Sequence, residues 1–300
     1  VAAAAVLATI FVAGCSGGGS GPQTEDERAP VRMASYDFTE NQVLAELYAQ
    51  AMIRAGIDVK IEPGLGTREI VEPALEQGQV DFVVDYLGTA LDFLVPGTPL
   101  SHGPPESVHA ALRQRFSSRG IAVLPFAAAE DKNGFAVTAK FAGDRDVSRL
   151  SDLVPLAGSL VLGGPPECPS RQYCGQGLQK VYGLNFKTFR EMPTRAETAT
   201  ALAIGEIDVG MLETTDPRLA GGQLVLLQDD RGLQPRENIV PLVRQATLDA
   251  YGDRIADAVA PVTAALTTRE LVQLNNAVVV KRQSPAEAAA AWLRQHPASP

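Results

Sequence analysis

The chain has 300 residues, 45% of them apolar and 20% charged, with 27 Gly and 21 Pro; it can fill a core and reads as globular, not disordered or collagenous. Its 26 Lys and Arg against 35 Asp and Glu give a formal charge of −9 with no basic cluster, which excludes a phosphate-backbone footprint and nucleic acid as a partner. The three histidines, His102, His109 and His296, are not spaced with a second ligand, so neither a metal nor a cofactor is expected, and no apolar run is long enough to span a bilayer.

Residues 1–14 read VAAAAVLATIFVAG, the length of the apolar region of an export signal. Val12-Ala13-Gly14-Cys15 resembles the lipobox of bacterial lipoproteins. In that reading 1–15 is the signal with its lipobox, Cys15 carries lipid, and 16–29 is a Gly/Ser tether that holds the body off the membrane. An ordinary secretory signal with an incidental Cys is the other reading. Gly14-Cys15-Ser16-Gly17-Gly18 formally matches a nucleophile elbow, but that motif needs a strand before and a helix after, and a Gly-rich tether follows instead.

From Pro30 the pattern is α/β. Val31–Ser35 reads as a strand; Thr39 or Asn41 caps a helix with Val43, Leu44, Leu47, Ala51 and Ile53 at helical spacing, and Gly56 ends it. Val59–Glu62 is a second strand, and Gly64-Leu65-Gly66-Thr67 a loop entering a helix. That loop falls short of a dinucleotide fingerprint because Glu69 stands where the third Gly belongs. Residues 74–86, ALEQGQVDFVVDY, and 201–213, ALAIGEIDVGMLE, then repeat one unit: a helix end, a Gly cap, a short strand. Tyr86-Leu87-Gly88-Thr89 opens a helix after the first copy; after the second, Asp216 caps and Pro217 sits at the first helical position. Equivalent halves would place both breaks at strand carboxyl ends, where open α/β sheets bind ligands and helix N-termini offer N–H groups.

Ile121–Pro125 and Phe135–Thr138 are strands separated by a crossing over Ala127–Gly134, and a second crossing over Asp229–Asn238 precedes a strand at Ile239–Val243. Lobe I is therefore 30–132 with 237–300, and lobe II is 133–236. Thr267 or Thr268 caps a helix, Ser284-Pro285-Ala286-Glu287 resembles a capping box, and Trp292 packs in lobe I. In ECPSRQYC, two nearby cysteines in an exported chain suggest a Cys168–Cys174 disulfide, contributing on the order of 2 kcal/mol; two free thiols are the other reading.

The segments SYDFTENQVLAELYAQ, LGTREIVEPALEQGQVDFVVDYLGTAL, NGFAVT, LGGPPECPSRQYCGQGLQKVYGL, GEIDVGMLETTDP, DDRGLQPRENIVPLVR and LTTRELVQLNNAVVV together resemble the substrate-binding proteins of osmoprotectant ABC importers, the ProX/OsmF/OpuC type that handles glycine betaine, choline and carnitine. The resemblance covers about 31–295. It implies a type II periplasmic-binding fold, two α/β lobes closing on a ligand cleft across two interlobe crossings. It also implies an extracytoplasmic, membrane-anchored monomer that serves osmoregulation by passing a small solute to ABC permease subunits on other chains. In such proteins rings hold a quaternary ammonium head, which has no N–H to donate, by cation–π attraction worth about 0.5–2 kcal/mol per contact.

Neighbouring motifs place the four cage positions at Tyr86, Asn133, Glu213 and Glu237, so three are not aromatic, and Phe135 rescues the second only if the alignment slips. With 6% aromatics and one Trp, few rings are left to recruit. The two glutamates either serve as counter-charges for a cation or accept hydrogen bonds from a hydroxyl-rich ligand (a polyol, sugar-like or polyphenolic compound). A third reading leaves them solvated at the cleft mouth or bonded to backbone across the hinge. A ligand carboxylate would need an intervening cation, for which Arg171 is placed. Asp37, Phe38, Thr39, Asn41, Gly88 and Thr89 line the cleft by the same resemblance. An enzyme using Glu213 and Glu237 as an acid pair, and an effector-sensing regulator, are the rival classes; no catalytic motif and no basic helix-turn-helix segment supports them.

Overall fold

The computed structural model describes residues 28–297; Cys15, the signal and nearly all of the tether lie outside them. The chain builds one sheet, leaves for a second, and returns. The first pass gives β1 (Val31–Tyr36), α1 (Thr39–Arg54), β2 (Val59–Gly66), α2 (Arg68–Glu76), β3 (Phe82–Tyr86), α3 (Leu87–Leu94), α4 (Pro105–Ser117) and β4 (Ile121–Val123). The second lobe holds β5 (Asn133–Thr138), α5 (Ala139–Arg145), β6 (Val161–Gly164), the single turn α6 (Gly175–Gly177), β7 (Thr188–Glu191), α7 (Arg195–Ile204), β8 (Val209–Glu213) and β9 (Leu224–Leu226). The return adds β10 (Ile239–Arg244), α8 (Gln245–Tyr251), α9 (Arg254–Ala265), α10 (Thr268–Val279) and α11 (Pro285–Gln295) to the first lobe.

The strand orders are β2-β1-β3-β10-β4 and β7-β6-β8-β5-β9. In each sheet four strands run in one direction, and the fourth position in the order is filled by a single antiparallel strand that has just crossed from the other lobe: β10 in the first, β5 in the second. The wiring is therefore the same in both lobes. The crossings pair with one another through a bridge between Glu130 and Asn238, with Asp131 donating its N–H to the Glu237 carbonyl (3.1 Å) and Ile239 to that of Ala129 (3.0 Å).

The repeated unit explains the equivalence locally. Gly78 and Gly205 both take positive φ, 71° and 74°, at the helix ends where a side chain would be strained. Asp81 and Asp208 then do one job twice. Each accepts on its carboxylate the N–H of a residue at the start of the neighbouring strand (Arg32, second in β1, at 3.0 Å; Val161, first in β6, at 2.8 Å) and donates its own N–H to that residue's carbonyl. Both strands are thus pinned in register near their start.

Helix α1 fills the centre of lobe I, with Val43, Leu44, Leu47 and Tyr48 fully buried, each large side chain contributing about 1.5–3 kcal/mol. Ile53, assigned to the same apolar face, is 50% exposed instead, because it lies in the last turn beyond the sheet. Neither Thr39 nor Asn41 caps α1. The N-cap is Phe38, without a side-chain bond. Asn41 is turned into the core, accepting from the Tyr36 N–H and donating to the Val84 carbonyl, both at 2.8 Å, so it fixes the ends of β1 and β3 against each other. The segment read as a loop at Gly64–Gly66 continues β2, because Gly66 pairs with Tyr36 after a register shift. Asp216 caps as expected by accepting the Arg218 N–H (2.9 Å), but the turn it starts, Pro217–Gly221, is a short 3-10 helix. Thr267 caps α10, Ser284 and Glu287 form a capping box, and Trp292 is buried in lobe I with its indole N–H on Glu270 (2.8 Å).

Candidate ligand-binding site

A cleft of about 930 Å³ lies between the lobes at the carboxyl ends of β1, β3, β6 and β8. Lobe I supplies an aromatic wall. Tyr36 ends β1, Phe38 opens α1 and Tyr86 ends β3; the rings succeed one another at 6.1 Å, Tyr36 on Phe38 and Phe38 on Tyr86. Phe93 and Tyr173 face the same space. The inference that few rings were left is therefore corrected: the cleft draws its rings from the ends of β1 and β3, the start of α1, α3 and the disulfide loop, and of the four motif positions only Tyr86 supplies one. Phe135 does not rescue the second position, since it packs in the core of lobe II and borders a smaller cavity of about 510 Å³ behind the first crossing.

Under the aromatic wall sits a fixed charge cluster. Arg68, the first residue of α2, grips Asp85 through Nη2 (2.5 Å) and Nε (3.2 Å), and donates from Nη2 to Thr89 Oγ1 (2.9 Å). Its guanidinium lies 5.3 Å from the Tyr36 ring centroid, and the Tyr36 hydroxyl donates to Asp85 (2.6 Å). Two-point Arg–carboxylate pairing of this kind sets geometry as well as charge.

Lobe II answers with the equivalent residue. Arg195, first in α7, donates from Nε to Glu213 Oε1 at 2.5 Å. Glu213 lines the cleft as placed, but it is neither solvated nor a free counter-charge; it belongs to Arg195. Arg171 also faces the cleft, yet both its terminal nitrogens reach Glu69 of lobe I at 2.8 Å, so the cation placed there for a ligand carboxylate is already paired. The Cys168–Cys174 disulfide is formed, with a Cα–Cα distance of 5.2 Å. The loop it closes carries a second interlobe contact, the Tyr173 hydroxyl 3.0 Å from that of Ser101.

Glu237 lines the cleft and is 4% exposed. Its Oε2 accepts from the Thr89 N–H (3.2 Å) and hydroxyl (3.3 Å), so the N-terminus of α3, expected to be open to a ligand carboxylate, is occupied by the chain's own carboxylate. Burial raises the Glu237 carboxyl to about 8, opposed by the nearby Arg68. Asn133 lies in the cleft, in register with Glu213. Asp37 and Phe38 line it; Thr39 and Asn41 do not. Gly88 does not either: a Cβ there would meet the Arg236 carbonyl at 2.5 Å, so this glycine lets α3 approach the second crossing.

Two buried acids behind the wall escaped the sequence reading. Glu40 accepts from the Tyr86 hydroxyl (2.8 Å), the Thr215 hydroxyl (2.6 Å) and the Asn275 amide (2.6 Å), tying α1, lobe II and α10 to the cage ring. Asp131, in the first crossing, accepts from the Thr214 hydroxyl and the Thr215 N–H. Burial, then the nearness of Glu40 and Glu213, holds Asp131 well above the ordinary carboxylate range. Arg68 and Arg195 escaped too, although a signal existed. Thr67–Tyr86 aligns with Thr194–Glu213 without a gap, and both stretches open on Thr-Arg, so the repeat is longer than its Ala-Leu-x-x-Gly core.

Two lobes of identical wiring, joined by paired crossings and enclosing a cleft at their strand ends, define a two-lobed solute-binding protein. The chain belongs to the family described as the substrate-binding domain of the ABC-type glycine betaine transport system, whose model matches residues 29–295. It is 26% identical over 277 residues to a glycine-betaine-binding protein of Pseudomonas aeruginosa, covering 89% of this chain and 88% of that protein. It is 25% identical over 279 residues to the glycine betaine-binding protein YehZ of Escherichia coli, covering 89% and 90%. A solved structure described as a glycine betaine/carnitine/choline ABC transporter shares the fold, with a TM-score of 0.71 at 24% identity over 89% of this chain and 98% of that one.

Proposed function

We propose that this chain captures a small quaternary ammonium solute outside the cytoplasm and hands it to the permease of an ABC importer, with no chemistry of its own. The observation that carries the reading is the row of rings Tyr36, Phe38 and Tyr86 along a cleft that also holds buried carboxylate. A trimethylammonium head is held by ring faces and by negative charge, and both are present here. Hinge closure over the solute is the form that a permease reads. The chain acts as a monomer, held at the membrane through Cys15 by the lipobox-like segment. The relatives named above all concern glycine betaine or its analogues, and none supports the hydroxyl-rich alternative.

The test is a thermal-shift screen of the folded body with choline, glycine betaine and carnitine beside polyols and polyphenols. A ligand at about 100 times its dissociation constant stabilises by about 2.7 kcal/mol. At least one quaternary amine should raise the melting temperature. A shift with hydroxyl-rich compounds alone overturns the reading.

A further inference from the structure

A zwitterionic solute presents two ends, and the cleft has partners for only one of them. Each cation that faces it is already paired within the protein: Arg68 with Asp85, Arg171 with Glu69, Arg195 with Glu213, and Lys132 with Glu130 (3.1 Å). Five carboxyl groups that face it, Asp37, Asp92, Asp131, Glu167 and Glu237, have no cation within ion-pair distance among the described residues. Glu237 is the decisive one. It is 4% exposed, beside 5% for Asp131, and it alone of the five takes the N–H and hydroxyl of Thr89, the donors a ligand carboxylate would need at the start of α3. The protein fills the anion's place from its own chain.

We propose that Glu237 substitutes for the carboxylate of a zwitterion, so that the cleft selects quaternary ammonium cations lacking a carboxylate, of the choline type, over betaines. The inference rests on the quaternary-ammonium reading and narrows it. A betaine carboxylate would have to displace Glu237 from Thr89 or lie beside it, and once Glu237 is ionised, like charges brought together in a desolvated interface are strongly disfavoured. A choline-type cation meets rings on one side and Glu237 on the other, with its hydroxyl free to find the remaining polar groups.

Binding carries a second signature. The groups facing Glu237 are Arg68 on α2, Asp85 on β3, Thr89 on α3, Tyr173 on the disulfide loop and Glu130, which accepts the Glu237 N–H (3.2 Å). In the empty cleft, burial holds the Glu237 carboxyl up to about 8. A cation binds the ionised form, so capture near pH 7 expels a proton, and affinity rises as pH climbs through that value.

The experiment is calorimetric titration of the folded chain with choline, tetramethylammonium, glycine betaine and carnitine at pH 6, 7.5 and 9, in buffers of different ionisation enthalpy. At pH 9, where Glu237 is ionised, choline should bind at least about tenfold more tightly than glycine betaine, as expected when a like charge is excluded, and the ratio should shrink toward pH 6, where Glu237 keeps its proton. Glu237→Gln should weaken choline and erase its proton release while leaving glycine betaine equal or stronger. Glycine betaine or carnitine binding as tightly as choline at pH 9 overturns the selectivity and leaves the quaternary-ammonium reading standing. An unchanged choline-to-betaine ratio in a folded Glu237→Gln protein overturns the role of Glu237. No binding of any of the four overturns both readings. The wild-type ratio stands independently of whether the variant folds.

Discussion

Lobe I and lobe II both set an arginine at the first position of a helix and an acid near the end of the strand that follows, but the acid stands one position apart. In lobe I it is Asp85, and the strand goes on to Tyr86; in lobe II it is Glu213, the equivalent of Tyr86. Successive strand residues point to opposite faces, so one step decides what faces the cleft. Asp85 is sunk with its side chain fully covered, which leaves the strand's last residue to a ring. Glu213 stands where the ring would be, and the lobe II wall is polar for that reason. The lesson is that the missing cage ring is a re-registration of an ion pair both lobes share, and the aromatic face is concentrated in lobe I.

The sharpest way to break that comparison is to remove the two arginines in turn. Arg68→Ala leaves Asp85 buried without its cation and should cost about 3–5 kcal/mol. Arg195→Ala removes a pair whose side chains are 22% and 14% exposed, and should cost about 1–3 kcal/mol. Urea unfolding of both variants measures the gap; equal costs would mean that the lobes do not differ in the way described.

A second difference between the copies is Glu72, on α2, whose lobe II counterpart is Ala199. Neither carboxylate oxygen of Glu72 finds a hydrogen-bond partner, and burial, reinforced by Asp85, raises its carboxyl from 4.5 to about 8. The folded state therefore keeps a proton that the unfolded chain releases, so this acid's contribution to stability falls as pH rises from 4.5 to about 8 and is level above. Glu72→Gln should be more stable than the parent by about 1–2 kcal/mol at pH 8, with the two converging toward pH 4. Melting curves across that range check it, and a gap independent of pH would refute the assignment.

The smallest effect concerns the strand pins. Asp208→Ala should cost about 1 kcal/mol, and Asp81→Ala somewhat more, because Asp81 also holds the Arg32 guanidinium (2.8 Å) and lies 3.6 Å from that of Arg244. Chemical denaturation of the pair tests whether one residue type serves both lobes alike.

Much of this was written in local patterns. The Gly caps and the Ser284 capping box sit in contiguous segments whose chemistry is complete within a few residues, whereas the Asp pins bond strands at sequence separations of 49 and 47. The site was less legible for a physical reason. Glu40 is read by Tyr86, Thr215 and Asn275, three residues that meet only after both crossings have been made. A count of aromatics likewise says how many rings exist, not that five of them converge. Glu213 and Glu237 were visible as departures and Thr89 as a cleft residue, but Arg195 was not, and neither was either pairing, since a contact across the chain has no sequence signature unless a repeat betrays it.

The Cys168–Cys174 ring has a mechanical consequence. Arg171 and Tyr173 both hang from it, and they reach Glu69 and Ser101 on the opposite lobe. Two fasteners on one stiff buckle engage or release together, whereas on an open loop each would have to find its seat alone. The bond therefore converts two separate weak contacts into a single latching event.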